Sequence, residues 1–143
     1  MASGRNKEIG VAPDRSLGRY SLVQTLLHPV FILCLILACA NQVLELNKVY
    51  IWPLHTHADD LLALPLTLTV ALAAERAYFR NPCFTLPLHY TLLAVLLFSV
   101  VFEGLLPLLH TRYTADWWDI PAYAVGALVF QLTLNKPLRG VVK

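Results

Sequence analysis

Charged side chains are scarce in this chain: 14% of its 143 residues are Asp, Glu, Lys or Arg, against 57% that are hydrophobic. A soluble globule carries a charged share of about a quarter, so a solvated surface on all sides is excluded. Cysteine is also sparse, with Cys34 and Cys39 inside an apolar run and Cys83 in a short polar turn. None is placed for an oxidising compartment, so no disulfide is expected and a disulfide-stapled scaffold is excluded. The sequence has no nucleophile–base pair, no phosphate-cradling glycine loop and no strong metal motif. An enzyme is therefore the function class with least support, although carboxylate-assisted hydrolysis at an outer surface stays open. The net charge of +2 comes from basic residues flanking the apolar runs, and no nucleic-acid partner is expected.

What the chain does have is four apolar runs, at 29–46, 61–77, 85–109 and 117–134. Each is long enough, or nearly so, to cross an apolar layer about 30 Å thick as a helix. Helix is the expected form because lipid cannot satisfy backbone polar groups. The predicted fold is an all-α, four-helix transmembrane bundle. Residues 1–20 are expected to be a mobile cytoplasmic arm, 21–137 the transmembrane domain, with 21–27 along the membrane surface, and 138–143 a basic cytoplasmic tail. Arg5, Lys7, Arg15 and Arg19 precede the first run, Arg76 and Arg80 follow the second, and Lys136, Arg139 and Lys143 follow the fourth. Only Lys48 and Arg112 fall on the other side, which places both termini in the cytoplasm. Trp52, Trp117 and Trp118 then lie at the outer boundary, where aromatic belts form. The charged stretch before the first run is too long for an ordinary signal peptide, so the first helix is expected to stay uncleaved. The predicted location is the inner (plasma) membrane, multi-pass, with the lipid bilayer as the first partner.

Ionisable groups inside apolar runs are functional by default, because burying charge in hydrocarbon is expensive. Glu45 and Glu103 are such groups. Asn41 shares a face with Glu45, four residues apart. Glu103 lies about 22 Å of helix rise from the inner end of its run, in the outer third. Gly104 beside it would allow close helix approach. Asp60 heads the second run. Asp119, with Asp116 and Tyr123, follows an i, i+3, i+7 face at the head of the fourth. With Arg112 and His110 nearby, these residues predict an acidic outward-facing pocket, in which crowded carboxylates and apolar surroundings raise each other's pKa. His55, His57 and Asp59 alternate in sequence. In an extended loop they would point to one side and suit a divalent cation, as would His110. The competing reading is structural: Glu103 pairing with Arg112 or hydrogen-bonding Asn41, and Asp116 and Asp119 serving only the helix dipole. At the inner end, Glu75, Arg76 and Arg80 read as ordinary anchoring.

Glu103, Arg112, Asp116, Asp119 and Gly126, within residues 99–130, resemble the C-terminal half of VanZ-like membrane proteins. That family commonly has Gln soon after the glutamate and Asn on the last helix, where this chain has Leu106-Pro107 and Ala122-Tyr123. The pattern Asp59-Asp60-Leu61-Leu62, Phe102-Glu103-Gly104 and Thr114-Ala115-Asp116 is also similar to small bacterial membrane proteins named magnesium–citrate secondary transporter. The second resemblance implies transport. The residues themselves predict a pocket that binds a divalent cation, or a lipid-linked or envelope ligand. Two alternatives stand beside it: a secondary transporter of the divalent metal–carboxylate type, in oligomeric form because four helices supply little for alternating access, and an accessory subunit of a larger membrane complex.

Overall fold

A chain this apolar must close its backbone hydrogen bonds within each segment, and it does so with helices. The computed structural model describes residues 15–49, 51, 54–109 and 117–138, and no strand occurs among the described residues. We number the helices α1 (Arg15–Leu26), α2 (Pro29–Leu46), α3 (Leu54–Phe79), α4 (Leu88–Leu109) and α5 (Asp119–Leu134). Three of them, Pro29–Leu46, His57–Phe79 and Leu88–Leu109, contain a stretch long and apolar enough to cross a membrane, while Asp119–Leu134 is apolar but shorter.

Local chemistry fixes the boundaries. His28 caps α2, its Nδ1 accepting from the Val30 N–H at 3.3 Å, and Pro29 follows in the first turn, where a missing N–H costs nothing. After α2 and α3 the chain reverses through Lys48 (φ 58°) and Arg80 (φ 52°), left-handed positions occupied without glycine. Pro65 lies inside α3. The Pro65 carbonyl takes the Thr69 hydroxyl at 2.6 Å, and the helix continues. The middle of α4, Ser99–Leu105, and the end of α5, Phe130–Leu134, are wound as π-helix. Such turns frequently accompany functional sites.

Helix α3 is the centre of the molecule: α1, α2 and α5 all pack on it, and α4 packs on α5. Its buried row Leu64, Leu68 and Leu72 meets Phe31 of α2 and Tyr123, Ala127, Phe130 and Leu134 of α5. Apolar burial alone does not drive helices together in lipid, because lipid tails are as apolar as leucine; close packing and hydrogen bonds do. Gly126 is the point of closest approach. A Cβ there would run into the Leu61 carbonyl oxygen and come within 3.0 Å of Pro65 Cδ. Overpacking of this kind costs about 1–3 kcal/mol. Gly126→Ala is therefore expected to lower the thermal midpoint of the detergent-solubilised protein clearly, as read by thiol-dye fluorescence. An unchanged midpoint would refute the tight α3–α5 crossing.

Several expectations need correction here. The boundary at residue 20 falls inside α1, which packs on α3, with Gly18 against the Ala77 carbonyl and Ser21 and Thr25 buried. Ser21 and Thr25, expected on a segment along the membrane surface, lie on the face of α1 toward α3, and their hydroxyls are satisfied by backbone carbonyls. Ser21 Oγ donates to Gly18 O at 3.0 Å, and Thr25 Oγ1 to Ser21 O at 2.7 Å. The second apolar helix begins at Leu54, not at 61, so the His55–Asp60 stretch is helical and not an extended loop. Among the described residues Gly104 makes no close helix contact, since none of them lies within 4 Å of where a Cβ would stand.

Candidate functional site

Helical winding of His55–Asp60 changes which side chains face together. In a helix, residues three apart share a side, while residues two apart diverge. His57 and Asp60 therefore point together toward α5, and Asp59 points toward α2. The close crossing at Gly126 brings in the first two turns of α5. His57 Nδ1 lies 2.8 Å from Asp119 Oδ1, and the Tyr123 hydroxyl donates to Asp60 Oδ1 at 2.8 Å. His57, Asp60 and Asp119 each offer one ligand atom within 4.8 Å of the others, all three half-buried. Asp119 is the more enclosed of the linked pair, with 15% of its side chain exposed against 36% for His57.

Asp59 has a separate role. Its two carboxylate oxygens accept from Asn41 Nδ2 and Gln42 Nε2, each at 2.8 Å, tying the end of α2 to the start of α3. Asn41 is buried, so this is an interhelical link, and Asn41 is not within reach of the ligand trio except through Asp59. The extended His55, His57, Asp59 set is thus not formed. The helix turns Asp59 away from His57, and Asp60 takes its place. Glu45 is half-buried on α2, and among the described residues no hydrogen bond or ion pair joins its carboxylate to the trio. His55 has its backbone in α3, and its side chain lies outside what is described, as do His110, Arg112 and Asp116 entirely.

Glu103 stands on the π-helical stretch of α4, half-buried, near enough for its charge to act on Asp60 and Tyr123. It lines a cavity of about 280 Å³ with Ser99, Val100, Gly104, Trp117 and Ile120, the last adjacent to Asp119 in α5. Phe102 and Phe98 pack by their rings around Tyr123, with centroids 6.4 and 5.9 Å away. This apolar wall fixes the phenol that orients Asp60.

A histidine nitrogen and two carboxylates, one of them held by a hydroxyl donor, form an open, three-ligand arrangement suited to a divalent transition ion. The ion would replace the His57–Asp119 hydrogen bond and leave positions open to solvent or substrate.

The far end of α3 carries polar contacts that the sequence reading took for anchoring. Arg76 is 1% exposed. Its Nε donates to Phe84 O at 2.9 Å, one terminal nitrogen to Thr25 Oγ1 at 2.9 Å, and the other to Lys136 O at 2.6 Å. Asn135 pairs with the backbone of Leu86 in both directions, each at 2.7 Å. The π turn positions it, with Asn135 N–H donating to Phe130 O five residues back. Nothing in the spacing of Arg76 or Asn135 marked them; Tyr123 was signalled only by its place on the Asp119 face.

No protein-family model, no curated protein and no solved structure matches this chain.

Proposed function

We propose that this is a four-helix inner-membrane protein with both termini in the cytoplasm, and that His57, Asp60 and Asp119 bind a divalent cation near the outer face. The observation that carries the reading is the convergence of three ligand atoms from α3 and α5 within 4.8 Å, at the heads of two apolar helices. A structural staple needs only one such pair. Here a histidine, two carboxylates and an orienting tyrosine meet where charge is costly. The nitrogen donor favours Mn²⁺ or Zn²⁺ over Mg²⁺, which prefers oxygen. Glu103, across the adjoining cavity, is suited to a second role toward a ligand carried by the ion, such as a lipid-linked or envelope group.

Calorimetric titration of the full-length protein with Mn²⁺ and with Zn²⁺ tests this. One ion per chain is expected. Tyr123→Phe should keep the stoichiometry while weakening affinity roughly tenfold or more, the usual effect of losing a group that orients a ligand. Absence of saturable binding in the wild type would end the reading.

Secondary transport is the second reading, and one observation favours it: a cavity also exists at the other end of α3, lined in part by Arg76 and Lys136. Between the two ends, Leu64, Leu68 and Leu72 are buried to 4% exposure or less, so transport through one chain would require the bundle to open along that row.

A further inference from the structure

Arg76 presents a physical problem that the cation site does not address. A guanidinium cannot give up its proton, so a buried arginine is a buried charge. All three hydrogen-bond partners of Arg76 are neutral oxygens: two backbone carbonyls and a threonine hydroxyl. Among the described residues no carboxylate stands within ion-pair distance of it. Buried charges are ordinarily paired, yet the other charged side chain described beside this one, Lys136, has the same sign. Lys136 and His28 line a cavity of about 520 Å³ with Arg76, Gln24 and Thr25, and among the described residues none that contributes to its lining is acidic. His28 is held toward its neutral form, first by burial, then by the charges of Lys136 and Arg76. The space is therefore electropositive, and its volume is that of an ordinary ligand site.

Its position narrows the class of anion. Arg76 is three residues from the end of the apolar stretch His57–Phe79, at headgroup level once that stretch spans a bilayer. About 24 Å of helix rise separates it from Asp60. Basic pockets between helices at this depth meet lipid phosphates, and the arginine fork matches phosphate oxygens in geometry and charge.

We propose that the cavity formed by Arg76, Lys136, His28, Gln24 and Thr25 is a binding site for a phosphate-bearing anion, which supplies the missing counter-charge. Arg76 forms the fixed floor, already braced by α1, the α3–α4 turn and the end of α5. Lys136, which is exposed, and His28 close on the anion from the rim, and Gln24 and Thr25 offer neutral donors. The ligand is an anionic lipid headgroup or a free phosphate. This site does not depend on the cation site at the other end of α3, and neither stands or falls with the other.

The test uses the full-length protein in phosphatidylcholine nanodiscs. In one arm inorganic phosphate is titrated and followed by phosphorus NMR. In the other the discs also contain phosphatidylglycerol, and retained lipid is counted by native mass spectrometry. Lys136→Gln is the first variant, because Arg76 grips the Lys136 backbone carbonyl and not its side chain. His28→Asn, which keeps a good helix cap, is the second. Binding in the wild type with about tenfold weaker binding in each variant is expected, the ratio that one hydrogen bond to a charged group is worth. Phosphate binding alone identifies a free anion; phosphatidylglycerol retention identifies the headgroup. No binding in either arm, or binding that both variants retain in full, would overturn the proposal.

Discussion

Arg76→Met is expected to leave the protein markedly less stable, by about 2–5 kcal/mol, taking three interhelical or loop hydrogen bonds at roughly 0.6–1.7 kcal/mol each. Methionine fills much of the same volume and removes the buried charge, so part of the loss is offset. What remains is the release of three acceptors, Phe84 O, Thr25 Oγ1 and Lys136 O. Those acceptors belong to the α3–α4 turn, to α1 and to the chain just after α5. One side chain therefore ties three otherwise separate segments to the end of α3. The effect should be local before it is global: limited proteolysis is expected to cut first near residues 80–86 and 136–138. Arg76→Lys should fall between wild type and methionine, since it keeps the charge but not the fork. Urea or thermal unfolding in mild detergent measures this, and a methionine variant within about 0.5 kcal/mol of wild type, the range of ordinary surface substitutions, would show that Arg76 is merely enclosed.

Asp119→Asn is expected to reduce divalent-cation affinity by about a hundredfold or more, beyond the ten- to hundredfold lost with an orienting group, because it removes a ligand charge outright. The shape of the side chain is kept, so the helices should stay packed and the thermal midpoint of the metal-free protein should move little. Asp59→Asn is the informative control. Asp59 lies two residues from His57 in sequence but faces Asn41 and Gln42 across α2. Its replacement should alter affinity by less than about twofold, as for sites that share no partner. If Asp59→Asn abolishes binding and Asp119→Asn does not, His57 and Asp59 act together as neighbours in an extended strand, and the helical site is wrong.

That control also shows where sequence reading stops. Period-2 and period-3.6 readings of His55-Thr56-His57-Ala58-Asp59-Asp60 select different ligand pairs, and a six-residue polar stretch does not decide between them. The choice is made by Gly126, some sixty residues away, whose missing side chain lets α5 approach and deliver Asp119 and Tyr123. The apolar runs were legible because they are long. The run 29–46 coincides with α2, and the later runs end where α4 and α5 end. The first turns of α3 were not legible, because His57, Asp59 and Asp60 each have a partner on another helix. Arg76 was hidden for the opposite reason: beside Glu75 and Arg80 at the end of an apolar run it looks like a snorkelling anchor, and only tertiary packing distinguishes an enclosed guanidinium from a solvated one. Of the acidic residues named for the pocket, Asp60 and Asp119 meet directly, Glu103 stands across a cavity, and Glu45 stays apart.

The π-helical stretch Ser99–Leu105 has a consequence for how this chain can change in length. A π turn accommodates one residue more than an α-helix needs, and the Leu106 N–H donating to the Val101 carbonyl closes it here. Deleting one residue in this stretch would restore ordinary α-helix without breaking α4. The wide turn absorbs the extra residue, so the segments on either side would keep roughly their present phase, while a residue inside the stretch would move by up to about 100° around the axis. Glu103 is such a residue, and its place beside Ile120 depends on the phase that the extra residue sets. Indels in this segment therefore act as a rotation on the carboxylate while leaving the span of the helix nearly unchanged.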